Sequence, residues 1–355
     1  MLPTVAPGVV VWHARGGIDA IDQYSERLIG ALRAVGQEAR YFRAGLSPVL
    51  NDSRMPPWVL IQYNPFRYGR FGCAPWLLRD AIRLRCRNVP LAIMVHEAWV
   101  PMTGWRTALM GVWQRAQLRL LMRLSGYVMA STEALARELG HGAVHNPVAS
   151  NITPVPTSPE AARDELGLPP ALVVTVFGRA HESRALDVAA SAIAAIAAAR
   201  GDANTIVLNL GADAPALGLP AHLDVRNPGP ASERELSLHL LASDLVLLPF
   251  TDGVSTRRGT LMASLAHGRA VIGSRGRNTD AVLVAHPEAL ALAPVGDLDA
   301  YVDAAVALAA DCSRRQAMAE AGRRLYDRSF DWPLVAARVI AALDAITARR
   351  GRARR

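Results

Sequence analysis

The chain alternates short apolar runs with longer amphipathic segments, and this alternation limits the fold more than any other feature of the sequence. Runs rich in Val, Ile and Leu, such as residues 58–63 (WVLIQY) and 171–177 (ALVVTVF), are typical of buried strands. The segments between them, such as residues 105–124 and 185–199, have the length and apolar content of helices that cover a sheet. The alternation therefore predicts an α/β fold with parallel sheets wrapped by helices.

The same alternation runs through the sequence twice. Residues 1–150 form one predicted Rossmann-like half and residues 160–330 form a second, joined by a polar, proline-bearing linker over 150–160. A length of 355 residues also fits two domains. Residues 331–350 form a closing predicted helix, which we expect to pack back on the N-terminal half. We predict two tandem Rossmann-like domains that face each other across a cleft, with ligands at the carboxyl ends of the strands.

The basic residues of this chain are all arginines. The formal net charge is +8, and each of the 39 Lys and Arg residues is Arg, which excludes a Schiff-base lysine and a Walker A lysine. Guanidinium groups match phosphate geometry, although a GC-rich genome would give the same composition. Three cysteines without zinc or disulfide spacing, and a start without signal-peptide character, predict a cytoplasmic protein with no metal site.

Glycines and arginines follow the predicted strands where phosphate-binding loops are expected. Gly16 and Gly17 follow the first strand at a helix start, where free N–H groups attract anions; a plain tight turn is the alternative. The pattern is not GxGxxG, so a nicotinamide cofactor is not expected. Arg179 and Arg184 follow the strand over 171–177 and could hold a diphosphate, although solvated arginines would look the same.

The segment over residues 252–260 (DGVSTRRGT) is the most informative one, because it places hydroxyls and two guanidinium groups directly before a helix. Such a segment can cradle a phosphate and stabilise a leaving diphosphate; a polar surface loop is the alternative. Because Arg257 and Arg258 are adjacent, we expect at most one of them to face the ligand. The predicted donor contacts in this segment are Ser255, Arg257, Arg258, Gly259 and Thr260.

His96 ends the strand over residues 90–96 and is the candidate catalytic residue. An imidazole suits general-base work or hydrogen bonding to a sugar, whereas many single histidines are structural. Loops at the same end of the predicted sheet would supply the acceptor contacts, for which we name Tyr63, Asn64, Glu97 and Trp99.

The helix over residues 105–124 carries Arg115, Arg119 and Arg123 on one face. A helix of this kind can lie on an anionic membrane surface, and packing of its apolar stripe on the sheet is the ordinary alternative. Aromatic residues make up only 6% of the chain and show no stacking pattern on a basic strand, so we expect no nucleic-acid partner. The expected location is cytoplasmic, with peripheral contact to the inner face of a membrane left open.

In the order of its parts, the chain resembles the family 4 glycosyltransferases of the GT-B fold. The segments that carry the resemblance are GGIDAIDQYSERLIGAL, LIQYNPFRYG with LAIMVHE, VFGRAHESRALD, and SDLVLLPFTDGVSTRRGTLMASLAHGRAVIGS. The resemblance implies that Arg179 and Arg184 grip the donor diphosphate, that Gly16 and Gly17 lie beside its phosphates, and that His96 contacts the transferred sugar. It implies a sugar transfer without metal or cofactor, and with retention, from a nucleotide diphosphate to a glycan, lipid-linked or small-molecule acceptor.

One departure from the family pattern leaves the donor open. The family carries two glutamates eight residues apart, and in this chain those positions fall on Ser255 and Ala263. The nucleotide, the sugar and the stereochemical outcome are therefore undecided. A sugar-nucleotide epimerase or phosphorylase on the same fold, and a non-catalytic nucleotide- or nucleic-acid-binding protein, remain alternatives.

Overall fold

A computed structural model of the chain describes residues 8–11, 20–43, 47–51, 55–140, 142–200 and 205–353. The chain divides into two compact units. Unit 1 comprises residues 1–147 together with 332–355, and unit 2 comprises residues 148–331. Within the described residues, each unit contains one six-stranded sheet in which every pairing between neighbouring strands is parallel. This architecture confirms the predicted α/β class with two Rossmann-like units.

The strands of unit 1 are β1 (Gly8–Val11), β2 (Ala39–Phe42), β3 (Val59–Tyr63), β4 (Leu91–Val95), β5 (Tyr127–Ala130) and β6 (Val144–His145). Its first helices are α1 (Ala20–Ala34), α2 (Ser47–Leu50), α3 (Pro65–Tyr68), α4 (Pro75–Cys86), α5 (Trp105–Leu124) and α6 (Glu133–Leu139), with a 3₁₀ turn at Arg70–Gly72. The strand order is β2-β1-β3-β4-β5-β6. The order reverses between β1 and β3, which is where ligands bind in open sheets of this kind.

The strands of unit 2 are β7 (Leu172–Phe177), β8 (Thr205–Leu210), β9 (Asp224–Arg226), β10 (Leu245–Leu248), β11 (Ala270–Arg275) and β12 (Ala291–Pro294). Its helices are α7 (Pro159–Glu165), α8 (Leu186–Arg200), α9 (Glu233–Ala242), α10 (Gly259–Ala266), α11 (Ala281–Val284), α12 (Leu298–Ala310) and α13 (Cys312–Ser329). The order β12-β11-β10-β7-β8-β9 is that of a dinucleotide-binding Rossmann unit. Its switch point lies between β7 and β10.

Both cores follow from strands that are apolar on each face. All residues of β3, β4, β7, β8 and β10 are buried, as expected for strands covered by helices on both sides. In unit 1 the rings of Tyr63 and Tyr68 stack within the core, with their centroids 6.1 Å apart. Helix α5 packs inward through Gln114 and Gln117, and the Gln117 amide bonds to the backbone of Gly72 and Ala74.

The last helix, α14 (Trp332–Ala353), belongs to unit 1 although it follows unit 2 in the chain. It packs against α1, and the ring of Trp332 lies 5.2 Å from the ring of Tyr24. Gly126 makes room for α14, because a Cβ atom there would lie 2.8 Å from Ile346.

Candidate functional site

The two arginine-bearing loops of unit 2 leave the sheet from neighbouring strands. Strands β7 and β10 pair in parallel, so the loop that begins at Gly178 and the loop over residues 249–258 start at the same edge. This edge is the switch point of the sheet, where the helices that follow the two strands pack on opposite faces and ligands bind. An isolated bridge between Arg184 and Phe250, with a hydrogen bond from Thr251 N to Ser183 O, ties the two loops together.

Gly178 allows these loops to approach closely. Its φ of 132° lies in a region that side chains rarely adopt, and a Cβ atom there would lie 3.2 Å from Thr260 Cγ2 and 3.6 Å from Arg184 Nη1. Gly211, at the end of β8, packs against the Gly178 carbonyl in the same way. The structure therefore brings together Gly178, Arg184 and Thr260, three positions that are distant in sequence.

Arg184 is fixed at the centre of this cluster. Its Nη1 donates to the carbonyl oxygens of Gly178, at 2.6 Å, and Arg179, at 3.2 Å. Its Nη2 is buried and has no hydrogen-bond partner among the described residues. Burial, and then the charge of Arg258, lower the pKa of Arg184. A buried donor without an acceptor is unfavourable, so an anion beside this guanidinium would stabilise the loop.

Asp252 holds the adjacent arginines in place. Arg258 Nη2 donates to Asp252 Oδ1, at 2.9 Å, and to Ser183 Oγ, at 3.0 Å, and its guanidinium lies 4.1 Å from the centroid of the Phe250 ring. Arg257 Nη2 lies 3.6 Å from Asp252 Oδ2 and its side chain is the more exposed of the two arginines. Asp252 begins the predicted phosphate-binding segment over residues 252–260, although it was not named as a donor contact. Ser183 and Phe250 were not predicted, because their part in the site appears only when the two loops fold together.

Helix α10 starts at this cluster with free backbone donors. Its N-cap is Arg258, which makes no capping hydrogen bond through its side chain, and no acidic residue lies in the first turn. The N–H groups at Gly259 and Thr260 therefore keep the positive end of the helix dipole unneutralised. Both residues were predicted to bind the donor, and both border the same cavity as the arginines.

The cavity has a volume of about 460 Å³. It is lined by Phe177, Gly178, Arg179, Ala180, His181, Arg184, Asp213, Phe250, Arg257, Arg258, Gly259 and Thr260. Four of the lining residues are arginines and one is aspartate. That aspartate, Asp213, forms an exposed ion pair with Arg179 at 2.7 Å, which contributes little by itself. With Asp252 bonded to Arg258, four arginines and two aspartates leave an excess of two positive charges, which matches the two negative charges of a diphosphate diester.

Ser255 is the one predicted donor contact of this loop that does not border the cavity. Its side chain is buried, and its hydroxyl has no hydrogen-bond partner among the described residues. The prediction that the Ser255 side chain contacts the donor is therefore not supported, because the loop turns it inward. The next residue, Thr256, bonds through both its N–H and its hydroxyl to Asp280 Oδ2, which fixes that inward turn.

In unit 1, His96 lies directly after β4 and is buried. Its Nε2 lies 2.7 Å from Gln62 Oε1, and its ring meets the Tyr24 ring edge-on with the centroids 5.3 Å apart. Burial lowers the pKa of His96 to about 4, so the imidazole is neutral near pH 7. A general base works best with a pKa near the working pH. The geometry therefore favours the hydrogen-bonding role over the general-base role.

The predicted acceptor residues separate into two groups. Tyr63 is fully buried, and its hydroxyl accepts a hydrogen bond from Gln117 at 3.3 Å. This burial does not support the prediction that the Tyr63 side chain contacts the acceptor. Asn64 and Glu97 are joined by a 2.8 Å hydrogen bond at the ends of β3 and β4. Trp99 is partly buried, with the Arg115 guanidinium 4.9 Å from the centroid of its ring.

Gly16 and Gly17 lie outside the described residues.

Comparison with known proteins identifies the fold. No known sequence family matches the chain, and no curated protein sequence matches it. Among solved structures, sucrose-phosphate synthase from Thermosynechococcus elongatus aligns with a TM-score of 0.71 and 14% identity, over 97% of this chain and 100% of that chain. WaaG, a glycosyltransferase involved in lipopolysaccharide biosynthesis, aligns with a TM-score of 0.63 and 14% identity, over 96% and 99%.

Anabaena HepE in complex with UDP and glucose aligns with a TM-score of 0.64 and 16% identity, over 95% of this chain and 99% of that chain. These neighbours are GT-B glycosyltransferases, so the chain has the GT-B fold that its motifs predicted. At such low identity the likeness establishes the fold, and the activity has to be argued from the site.

Proposed function

We propose that this protein is a glycosyltransferase that moves a sugar from a nucleoside diphosphate to an acceptor hydroxyl. The observation that carries the proposal is the concentration of arginines at the start of α10, on the switch point of unit 2. Such a site suits a diphosphate, because guanidinium groups and helix N-terminal N–H groups both bind phosphate oxygens. The neighbour HepE, which was crystallised with UDP, with UDP and glucose, and with UDP-glucose, makes a uridine nucleotide the first donor to test.

The arginines would act mainly on the leaving group. When the bond from the sugar to the diphosphate breaks, the electron pair stays on the diphosphate and its negative charge grows. Arg184, held by two carbonyl oxygens, and Arg258, held by Asp252, are fixed before the reaction and need no rearrangement to stabilise that charge. Such preorganised charge is among the largest contributions that an enzyme makes to a transfer reaction.

Unit 1 is proposed to bind the acceptor, with His96 as a neutral hydrogen-bonding group for the transferred sugar. Its low pKa suits that role, since a neutral ring keeps one nitrogen as an acceptor. Asn64, Glu97 and Trp99 remain the proposed acceptor contacts. Retention at the anomeric carbon is the proposed stereochemical outcome. The proposed acceptor is a hydroxyl of a glycan, a lipid-linked sugar or a small molecule.

A donor assay tests this function without knowledge of the acceptor. The protein would be incubated with UDP-, GDP- and dTDP-sugars, and the release of the nucleoside diphosphate would be followed as slow transfer to water. We expect release from one nucleotide class and its loss in Arg179→Met, whose exposed side chain can be removed without disturbing the core. Conversion of a donor to its epimer, with no diphosphate released, would show the epimerase alternative instead.

A further inference from the structure

Unit 2 carries a second arginine-lined cavity, at the edge of its sheet opposite the cavity at the start of α10. Its volume is about 650 Å³, against about 460 Å³ for the cavity at α10. Asp244 and Arg269 line it and directly precede β10 and β11, so it lies where those strands begin. We call it the amino-edge cavity. Strand β11 is six residues long, which separates the two edges of the sheet by about 17 Å.

The more buried charges of the amino-edge cavity are positive. Its charged lining residues are the arginines Arg163, Arg269, Arg315, Arg323 and Arg324 and the acids Glu160, Asp244 and Glu320. Asp244 pairs with Arg163 at 2.6 Å, and Arg323 pairs with Asp327 at 3.0 Å. The other two carboxylates are exposed, whereas Arg315 is buried and Arg269 is half-buried. Solvent therefore screens the unpaired negative charge more than the positive charge.

Arg315 is the most enclosed of these cations, with 9% of its surface exposed. Its Nη1 donates to the carbonyl oxygens of Leu308, at 2.7 Å, and Ala309, at 2.8 Å. Its Nε and Nη2 form no hydrogen bond with any described residue, although both carry N–H donors. Because an unmet donor on a buried cation is unfavourable, an acceptor in the cavity would stabilise this side chain.

Arg269 is held in a similar way. Its Nε donates to His267 O at 2.9 Å, and its Nη1 donates to Leu241 O at 2.8 Å and to Ser243 O at 3.1 Å. Its Nη2 has no hydrogen-bond partner among the described residues. The two innermost arginines of the cavity therefore share one arrangement, in which part of each guanidinium is bonded and part is unmet.

Capping of helix ends explains only the bonded part of each guanidinium. The carbonyl partners lie in the last turns of α9 and α12 or just after α9, where cations are favourable. Since a guanidinium is planar and rigid, bonds at Nη1 also fix the position of Nη2. The capped arginines are thus preorganised, and their remaining donors can bind an anion without rearrangement.

We propose that the amino-edge cavity binds the phosphate groups of a small phosphorylated molecule through Arg269 and Arg315. Guanidinium groups bind phosphate oxygens in charged, often bidentate hydrogen bonds. A volume of about 650 Å³ is within the range of small-molecule sites. The amino-edge cavity shares no lining residue with the cavity at α10, so the proposal does not rest on the transferase function.

Calorimetric titration of the full chain with inorganic phosphate and with pyrophosphate tests this site. The parent protein is Arg184→Met, which weakens the cavity at α10 and leaves the amino-edge cavity intact. We expect pyrophosphate to bind this parent at one site. Adding Arg315→Gln should weaken that binding by roughly 10- to 100-fold, because a charged hydrogen bond is lost. Arg314→Gln, at the exposed neighbouring position outside the lining, is the matched control and should bind as the parent does.

Two further variants change the rim of the cavity and leave the helix caps intact. Gln316 and Glu320 are exposed lining residues of α13. Gln316→Glu should weaken pyrophosphate binding by about two- to fivefold, and Glu320→Gln should strengthen it by about the same factor. Asp303→Asn makes the same charge change as Glu320→Gln at an exposed position of α12 outside the lining, and should have no effect. If circular dichroism shows that Arg315→Gln is unfolded, this pair decides the question.

Four results would overturn the proposal. The first is the absence of pyrophosphate binding to the Arg184→Met parent. The second is parent affinity in a folded Arg315→Gln variant, and the third is a rim pair that changes affinity no more than its control. The fourth is citrate binding at least as tightly as pyrophosphate, which would show a site for carboxylates and not for phosphates.

Discussion

His96 makes the stability of unit 1 depend on pH, and the size of this effect follows from its burial. Its pKa is about 4 in the folded chain and about 6.5 when exposed. Below a pH of about 6.5 the imidazole of the unfolded chain binds a proton, whereas the buried imidazole of the folded chain remains neutral until the pH approaches about 4. Stability is therefore lost as pH falls from about 6.5 to about 4, and no more is lost below that. From about pH 7.5 to about pH 5 the loss from this one residue is about 2 kcal/mol.

Fluorescence can isolate this loss, because all seven tryptophans of the chain belong to unit 1. Urea unfolding of the wild type and of His96→Gln would be followed by tryptophan fluorescence at both pH values. The wild type should lose about 2 kcal/mol more than the variant between them. His267→Gln is the matched control. Burial also lowers the pKa of His267 to about 4, but His267 lies in unit 2, which contains no tryptophan. Replacing His267 should therefore leave the transition measured by tryptophan fluorescence unchanged.

Equal pH dependence in the wild type and His96→Gln would refute the reasoning. It would mean that the imidazole ring takes up a proton in the folded state as readily as in water. In that case a general-base role for His96 would return as the better interpretation.

Three further predictions concern unit 2. Asp252→Asn removes the charge that neutralises Arg258, so we expect a loss of about 1–3 kcal/mol of stability in urea unfolding followed by circular dichroism; an unchanged midpoint would contradict this. Gly178→Ala places a side chain at a φ of 132°, so nucleotide binding measured by calorimetry should weaken by about tenfold or more, and wild-type affinity would count against the close approach of the loops. Thr256→Val removes the hydroxyl bond to Asp280 and should cost about 1 kcal/mol of stability, whereas Thr256→Ser should retain it.

The sequence predicted those elements whose pattern is set by local physics. The bounds of α5 match the predicted span 105–124, and those of α8 (Leu186–Arg200) lie within one residue of the predicted span 185–199. Apolar content and flanking breakers mark the ends of such segments. The edge strands β2, β9 and β12 were not predicted. They are three or four residues long and partly exposed, so they produce no apolar run.

The site was predictable in its position along the chain but not in its contacts. The apolar runs predicted where β7 and β10 end. Because these two strands are neighbours, the loops that follow them bring Arg184 and Thr260 together around Gly178. The direction of each side chain could not be read, because strands buried on both faces give no alternation to follow. Tyr63 illustrates this, since its position after an apolar run resembles that of a site residue while its ring points into the core.

The central claim is that the arginine cluster of unit 2 binds a nucleoside diphosphate through its phosphates. The direct measurement is calorimetric titration of UDP, GDP and dTDP, and of the corresponding nucleosides, into the wild type, Arg184→Met and Arg179→Met, with Arg314→Met as control. We expect one diphosphate to bind the wild type and the control equally. Each site variant should bind it roughly 10- to 100-fold more weakly, because a charged hydrogen bond is worth about 1.5–3 kcal/mol. Wild-type affinity in both site variants, or no binding of any diphosphate by the wild type, would contradict the account.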